Sequence, residues 1–146
     1  MAYKGQFKPK NPQKYRGDSK NIIYRSRWEE RFMRFCDNNS AVLEWSSEEF
    51  FIPYRCRTDN RIHRYFPDFK IRVKDDKGNV VTKVIEIKPR KECFAPVKPA
   101  RMTKRYLTEA LTYAKNKSKW EHAEEWCSNR GYEFVIMTEK ELGIKF

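Results

Sequence analysis

Residues 64–88 read RYFPDFKIRVKDDKGNVVTKVIEIK, and this stretch predicts a β-hairpin that carries several chemically active side chains. Between two runs of strand-forming residues lies the turn sequence DDKGN, in which Gly and Asn tolerate a positive φ. Opposed residues of an antiparallel pair have index sums equal to twice the turn centre. Asp68 and Glu86 sum to 154, which centres the turn on residue 77. We therefore expect these two carboxylates to face each other on one side of the sheet.

A lysine completes this set. Lys88 lies two residues after Glu86, and because strand side chains alternate with a period of two, both point to the same side. Two carboxylates beside a lysine suit Mg²⁺-dependent phosphodiester hydrolysis, since Mg²⁺ prefers carboxylate oxygens and lowers the pKa of bound water. Lys88 would orient or deprotonate that water or stabilise transition-state charge, and the carbonyl of Ile87 is a further candidate ligand. The alternative is a chance D…ExK pattern, with an ordinary surface salt bridge between Glu86 and Lys88.

The setting of Glu86 is apolar. From Val84 to Ile87 the strand is apolar on both faces except for this carboxylate, which is typical of a central strand in a covered sheet. A buried carboxylate is costly unless a metal or a lysine compensates its charge. The context therefore favours a functional site over a surface salt bridge.

Upstream, Ser26 is expected to begin an amphipathic helix that ends at residues 37–40. Its predicted buried face carries Trp28, Phe32, Phe35 and Cys36. Glu29 has two interpretations. It completes a capping box with Ser26, or its carboxylate reaches into the cleft as a catalytic residue and metal ligand.

The remaining pattern predicts an α/β (α+β) domain at residues 21–146, preceded by a basic N-terminal arm at residues 1–20. Strands are expected at 42–45, 50–56 and 132–137, and Glu48 between the first two is either an extra acidic ligand or a loop carboxylate. Two helices are expected, one from Thr103 to about residue 116 and one from a second capping box at Ser118 to Gly131. The first should bury Tyr106, Leu107, Ala110, Leu111 and Ala114. A short last helix is capped by Thr138 and Glu141.

The charge balance points to a polyanionic partner. The 146 residues hold 32 Lys and Arg against 20 Asp and Glu, a formal net charge of +12, so nucleic acid is the leading partner. A merely soluble basic protein is the alternative. No segment pairs a basic face with a continuous apolar face, so no membrane partner is expected. A basic loop follows Lys88, and it suits phosphate contacts or is simply a solvated surface loop. The candidate DNA-binding residues are Arg64, Arg90, Lys91, Lys98, Arg101, Lys104 and Arg105.

The cysteines suggest no metal centre of their own. Cys36, Cys56, Cys93 and Cys127 are far apart and form no CxxC pair, which favours four reduced thiols. The two histidines, His63 and His122, do not stand at a metal-binding spacing, which disfavours a zinc or HNH-type nuclease. No organic cofactor is expected.

Together these residues resemble a known family. Pro67-Asp68…Glu86-x-Lys88 is similar to the PD-(D/E)xK signature of the restriction-endonuclease-like nucleases, and Glu29 matches the extra acidic residue in the first helix of that fold. Other stretches are similar to the head completion nucleases of tailed phages, and the resemblance covers almost the whole chain. They include Tyr24-Arg25-Ser26-x-Trp28-Glu29, Ile52-Pro53-Tyr54, Arg64-Tyr65-Phe66-x-Asp68 and Ile85-Glu86-Ile87-Lys88-Pro89.

The resemblance implies a single domain with an αβββαβ core and a mixed central sheet flanked by helices. It implies a Mg²⁺-dependent deoxyribonuclease, with Mn²⁺ as a substitute, that acts late in capsid assembly on double-stranded DNA at packaged ends. Phage portal or neck proteins would be partners, and the protein would act in the host cytoplasm and stay in the virion or leave it. The alternative is a non-catalytic DNA-binding structural protein at the head–tail junction that keeps the nuclease fold, since fold does not fix activity.

Overall fold

A four-stranded mixed sheet forms the centre of the computed structural model, which describes residues 4–142. The strands in this range are β1 (Gly5–Phe7), β2 (Ile22–Tyr24), β3 (Val42–Ser47), β4 (Ile52–Arg55), β5 (Ile62–Tyr65), β6 (Phe69–Lys74), β7 (Val80–Ile87) and β8 (Glu133–Met137). The helices are α1 (Arg27–Asn38), α2 (Lys104–Ser128) and α3 (Glu139–Leu142). The central sheet has the order β3-β6-β7-β8, with β7 and β8 parallel and the other neighbours antiparallel. This arrangement is compatible with a single restriction-endonuclease-like domain with a mixed central sheet.

The β6–β7 hairpin has the predicted register. Phe69 pairs with Ile85 and Lys74 with Val80, so every pair sums to 154. The turn is held by Oδ1 of Asp75, which accepts hydrogen bonds from the amides of Lys77 and Asn79, both at 2.9 Å. As predicted, β7 is an inner strand, and its residues 84–87 are buried.

The hairpin is shorter than predicted at its open end. Residues 66–68 form no strand, and the preceding strand β5 pairs with β4 in a separate two-stranded sheet. Pro67 explains the break, because proline has no amide hydrogen to donate to a sheet ladder. Asp68 consequently lies in the bend before β6, one residue beyond the last hydrogen-bonded pair.

Helix α1 begins as predicted, with Oγ of Ser26 accepting a 3.1 Å hydrogen bond from the amide of Glu29. Its buried face holds Phe32, Met33 and Cys36. The prediction that Phe35 is buried was wrong. Its side chain lies at the edge of the face, stacked on the ring of Phe32 and 48% exposed, because the helix turns about 100° per residue and Met33 fills the core position instead.

The two helices predicted after residue 103 are one helix of 25 residues. Ser118 does not begin a helix, because its hydroxyl donates to the carbonyl of Ala114, one turn back, and no Gly or Pro interrupts the segment. The prediction that Leu107 and Leu111 are buried was also wrong. Leu107 and Leu111, in the first half of α2, are more than half exposed, whereas Ala123 and Cys127 in its second half are buried, because that half packs against the core cluster of β4 and β5.

The start of the described chain packs on the domain. Phe7 and Tyr15 are buried in the main core cluster, where the Tyr15 ring meets the edge of Trp45 at a centroid distance of 4.7 Å. Lys14 donates from Nζ to three carbonyls at the end of α1, which satisfies groups that a helix end leaves without partners. In the described range, no helix is long and apolar enough to cross a membrane.

Candidate active site

An open cleft of about 690 Å³ lies between the start of α1 and the carboxyl end of β7. It is lined by residues 25–29, Asp68 and residues 86–89. The four side chains predicted to be catalytic, Glu29, Asp68, Glu86 and Lys88, all line this one cleft, as does Ile87. The fold therefore brings together residues that lie on a helix, a bend and a central strand.

Asp68 is held in a fixed orientation by the neighbouring strand. Its Oδ2 accepts a 2.8 Å hydrogen bond from the amide of Ile87 at the end of β7. Its carbonyl accepts a 3.2 Å hydrogen bond from the amide of Glu48. The break at Pro67 thus releases Asp68 from the ladder, and the side chain bonds a backbone amide at the end of the inner strand.

Glu86 is the most enclosed carboxylate of the cleft, with 8% of its surface exposed. The phenol of Tyr65, itself 4% exposed, donates a hydrogen bond to Oε2 of Glu86. The amino group of Lys119, on α2, lies 5.8 Å from the centroid of the Tyr65 ring. Glu86 therefore contacts a donor from the β4–β5 hairpin and lies near a cation from α2.

Burial and mutual repulsion raise the pKa of each carboxylate of the cleft. For Asp68 the main cause is burial, followed by the charge of Glu86, and the Ile87 amide opposes the shift. Burial raises the pKa of Glu86, while the hydrogen bond of Tyr65 and the charges of Lys88 and Lys119 lower it. Such a group of carboxylates favours the binding of a proton or a cation.

Glu29 serves as a helix cap and also lines the cleft. Its amide donates to Ser26, and its Oε2 accepts a 2.5 Å hydrogen bond from the amide of Arg25, one residue before the expected capping-box partner. Burial and the charge of Glu48 raise the pKa of this carboxyl. The geometry of Glu29 is therefore compatible both with a helix cap and with a carboxylate that acts in the cleft.

Glu48 stands beside the cleft. Its carboxylate forms an ion pair with Arg25, which itself lines the cleft. The backbone of Glu48 takes a left-handed conformation, with a φ of 52°. Its charge still acts on the site, since it raises the pKa of Asp68 and of Glu29.

The candidate DNA-binding residues are all exposed, and six of the seven follow the cleft along one continuous stretch of chain. Arg90 and Lys91 lie in a short 3-10 helix just after Pro89, and the amide of Arg90 donates to the carboxylate of Glu139. Lys98 and Arg101 lie in the following loop. Lys104 and Arg105 begin α2, with Arg105 paired to Glu109 at 3.0 Å.

Arg64 is set apart from this stretch. It lies on β5 in the separate β4–β5 sheet, with its guanidinium 4.9 Å from the centroid of the Phe51 ring. Arg64 therefore lies on a different element from the other six residues, and its role in DNA binding stays a prediction.

Tyr65 and Lys119 are site residues that the sequence analysis missed. Tyr65 lies three residues before Asp68, so its position beside the motif was a usable signal. Lys119 is far away in sequence, and only the packing of α2 against the β4–β5 hairpin brings it near Glu86. No local pattern marks such a contact.

Two comparisons with known proteins place this architecture in a family. Residues 39–139 match the family model described as TnsA-like endonuclease N terminal. The chain is also similar to the head completion nuclease of Enterobacteria phage T4, with 44% identity over 152 aligned positions that cover 99% of each protein. On both findings, this chain belongs to the TnsA-like, restriction-endonuclease-like nuclease family and is a homologue of the T4 head completion nuclease.

Proposed function

We propose that this protein is a Mg²⁺-dependent deoxyribonuclease that hydrolyses phosphodiester bonds at or near packaged DNA ends during phage head completion. One observation carries the proposal: two enclosed carboxylates, Asp68 and Glu86, share a cleft with Lys88. The family match supports a nuclease, and the name of the T4 homologue supports a role in head completion.

The side chains of the cleft fit a hard divalent cation. Asp68 and Glu86 offer carboxylate oxygens, and burial raises the pKa of both, so a bound cation would relieve an existing electrostatic cost. Glu29 and the carbonyl of Ile87 are the further ligands we propose. When bound, Mg²⁺ or a substituting Mn²⁺ would polarise the scissile phosphate and lower the pKa of the attacking water.

The chain's own groups position the reaction. The amide of Ile87 orients Asp68, and the phenol of Tyr65 orients Glu86. Lys88 brings a positive charge to the same cleft, where it would stabilise negative charge that develops on the phosphate or orient the attacking water. The exposed basic residues after Pro89 would bind the DNA backbone and direct it into the cleft.

A role in head completion would define the substrate and the partners. We propose double-stranded DNA as the substrate and portal or neck proteins as docking partners, in the host cytoplasm during assembly or in the finished virion. The net charge of +12 supports a DNA substrate because phosphate contacts dominate the affinity of such proteins.

Digestion of linear and closed-circular duplex DNA with Mg²⁺, with and without a chelator, tests the proposal. Wild-type protein should cleave only with the metal, and Asp68→Asn and Lys88→Ala should each reduce turnover by at least about 100-fold. The matched controls, Asp76→Asn and Lys77→Ala, lie in the far turn of the same hairpin and should keep full activity.

The pattern of cleavage distinguishes between the possible activities. Cutting of the linear substrate alone indicates action at DNA ends, and cutting of both indicates an endonuclease. Salt-sensitive DNA binding without turnover in Mg²⁺ or Mn²⁺ would contradict the proposal and favour a structural protein that keeps the fold. Unchanged cleavage by both site variants would contradict the assignment of the site.

A further inference from the structure

A second group of potential metal ligands lies outside the cleft, in the hairpin formed by β4 and β5. Cys56, Asp59 and His63 each present one ligand atom, and these three atoms lie within 4.8 Å of one another. Nε2 of His63 is 2.6 Å from Oδ2 of Asp59. A thiol, a carboxylate and an imidazole thus converge at one point.

The backbone of the turn holds this arrangement in place. The amide of Cys56 donates to the carbonyl of Arg61 at 2.9 Å, and the amide of Asn60 donates back to the carbonyl of Cys56 at 2.8 Å. Asn60 takes the left-handed conformation, with a φ of 57°, that closes the loop. Oδ1 of Asp59 accepts from the amide of Arg61, which leaves Oδ2 directed toward His63.

The imidazole is also supported from the sheet. Tyr54 pairs with His63 across β4 and β5, and their rings lie 5.8 Å apart. Cys56 is buried, whereas the side chains of Asp59 and His63 are 40% and 42% exposed. A cation in solvent could therefore reach the two exposed ligands directly, and the sulfur of Cys56 lies within 4.8 Å of both ligand atoms.

We propose that Cys56, Asp59 and His63 bind a transition-metal cation of the Zn²⁺ type, at a site separate from the carboxylate cleft. A thiolate and an imidazole select borderline-soft metals, whereas Mg²⁺ prefers oxygen ligands alone. Cys56 binds as the thiolate, so its proton passes to solvent when the metal–sulfur bond forms. Three protein ligands leave a fourth position for water or another donor.

The spacing C-x2-D-x3-H explains why the sequence did not reveal this group. Paired cysteines or paired histidines mark ordinary zinc motifs, and here each type occurs once, with a carboxylate between them. Only the hairpin brings the third ligand, at the start of β5, back to the first, at the end of β4.

The site would also restrain an element of the nuclease cleft. The strand that carries His63 ends at Tyr65, whose phenol binds Glu86. A metal bound by Cys56 and Asp59 before β5 and by His63 on β5 would stabilise the folded β4–β5 hairpin. The competing explanation is an ordinary exposed turn, in which Asp59 and His63 form only an ion pair.

Titration of the reduced, chelator-treated full chain with Co²⁺ distinguishes the two. We expect one tightly bound equivalent and a sulfur-to-cobalt charge-transfer band in the near ultraviolet, because the carboxylate cleft has no thiol and cannot produce that band. Zn²⁺ should abolish the band, and excess Mg²⁺ should not. Cys56→Ser should abolish it, and His63→Ala should weaken Co²⁺ binding at least about tenfold.

The control is Cys93→Ser, which removes the one cysteine of the four that is partly exposed and should leave the band intact. Absence of the band in the wild type, or its persistence in Cys56→Ser, would overturn the proposal. Loss of the band in Cys93→Ser alone would do the same. If Cys56→Ser fails to fold, His63→Ala decides, because its side chain is exposed and unchanged Co²⁺ affinity would exclude the site. None of these readings depends on nuclease activity.

Discussion

The phenol of Tyr65, the last residue of β5, donates a hydrogen bond to Oε2 of Glu86 in the inner strand β7. The two-stranded β4–β5 hairpin is thereby connected to the central sheet at the proposed active site. Because the bond stabilises the charged carboxylate, it lowers the pKa of Glu86 against the effect of burial. The hairpin therefore adjusts the electrostatics of the cleft as well as its shape.

Replacement of Tyr65 by Phe removes this bond and keeps the ring. The pKa of Glu86 should rise further, since a hydrogen bond to a charged group contributes about 1.5–3 kcal/mol and one pKa unit corresponds to about 1.4 kcal/mol. We expect the acidic limb of the pH–activity profile to move upward by about one unit. Activity at a given pH should fall about tenfold on this acidic limb and match the wild type on the plateau above it.

The matched control is Tyr54→Phe, a buried tyrosine of the same hairpin that does not contact Glu86, and its profile should match the wild type. An equal loss of activity at every pH in Tyr65→Phe would show that the phenol matters for packing and does not tune Glu86.

The pH dependence of stability provides a second test, without DNA. Burial and Glu86 raise the folded-state pKa of Asp68 above its unfolded value. The folded protein therefore keeps a proton that the unfolded chain releases between those two values. The stabilising effect of this proton is complete below a pH of about 4, the ordinary carboxyl range, and is lost as the pH rises through the raised pKa.

Metal-free wild-type protein should accordingly lose thermal stability between about pH 5 and about pH 8. Asp68→Asn keeps an acceptor for the amide of Ile87 but carries no charge, so it should be more stable than the wild type at about pH 8, by about 1–3 kcal/mol. Mg²⁺ should restore the wild type and have little effect on the variant. Asp76→Asn, in the exposed turn, is the control and should follow the wild type. A wild-type curve that does not depend on pH would contradict the raised pKa.

The double role of Glu29 can be separated by two conservative changes. Glu29→Gln keeps an oxygen that accepts from the Arg25 amide, so helix capping and melting temperature should change little. Activity should nevertheless fall by at least about 100-fold if the carboxylate binds the metal. Ser26→Ala removes the cap, which costs about 1 kcal/mol of stability, and should leave turnover below the melting temperature nearly unchanged. Full activity in Glu29→Gln would mean that this residue is a helix cap only.

The sequence predicted the centre of the fold because that part follows from local rules. The turn at residues 75–79 and the alternation of side chains determine the register of β6 and β7, and the observed pairs agree with it. The apolar run before Lys88 predicted that β7 is an inner strand, as observed. The convergence of Asp68 and Glu86 follows from these two facts together.

The errors occurred where tertiary structure overrides a local pattern. The Ser118 capping signature is real in sequence, but inside a helix the serine hydroxyl bonds the previous turn. The Ser118 hydroxyl also accepts a 3.3 Å hydrogen bond from the amide of Arg57. Glu121, the other residue of the signature, forms an ion pair with the Arg57 side chain. The two residues thus attach α2 to the loop after β4.

The pairing of β4 with β5 could not be predicted for a related reason. A short strand with alternating side chains can pair with either neighbour in sequence, and here β5 pairs backward with β4 and ends before Pro67. The contact of Tyr65 with Glu86 and the approach of Lys119 both depend on that choice. Spacing therefore could not predict these two contacts, although the position of Tyr65 three residues before Asp68 marked it as a residue of interest.

The basic stretch after the cleft can be tested through the salt dependence of DNA binding. Lys98→Gln combined with Lys104→Gln removes two exposed charges from the basic stretch that follows the cleft in sequence, and it leaves the carboxylates of the cleft unchanged. If both contact phosphates, the slope of log K against log salt should become less steep by about 1.8, since each contact contributes about 0.9. Affinity at low salt should fall for every DNA sequence alike, because phosphate contacts carry no sequence information.

Lys74→Gln combined with Lys77→Gln is the matched control for this experiment. It removes the same charge at the far turn of the β6–β7 hairpin, at the opposite end of the strands from Asp68 and Glu86. A reduced net charge alone acts weakly and over a long range, so this control should leave the slope nearly unchanged. An equal change in both double variants would show that binding follows total charge, and the stretch after the cleft would then not be a specific DNA-binding surface.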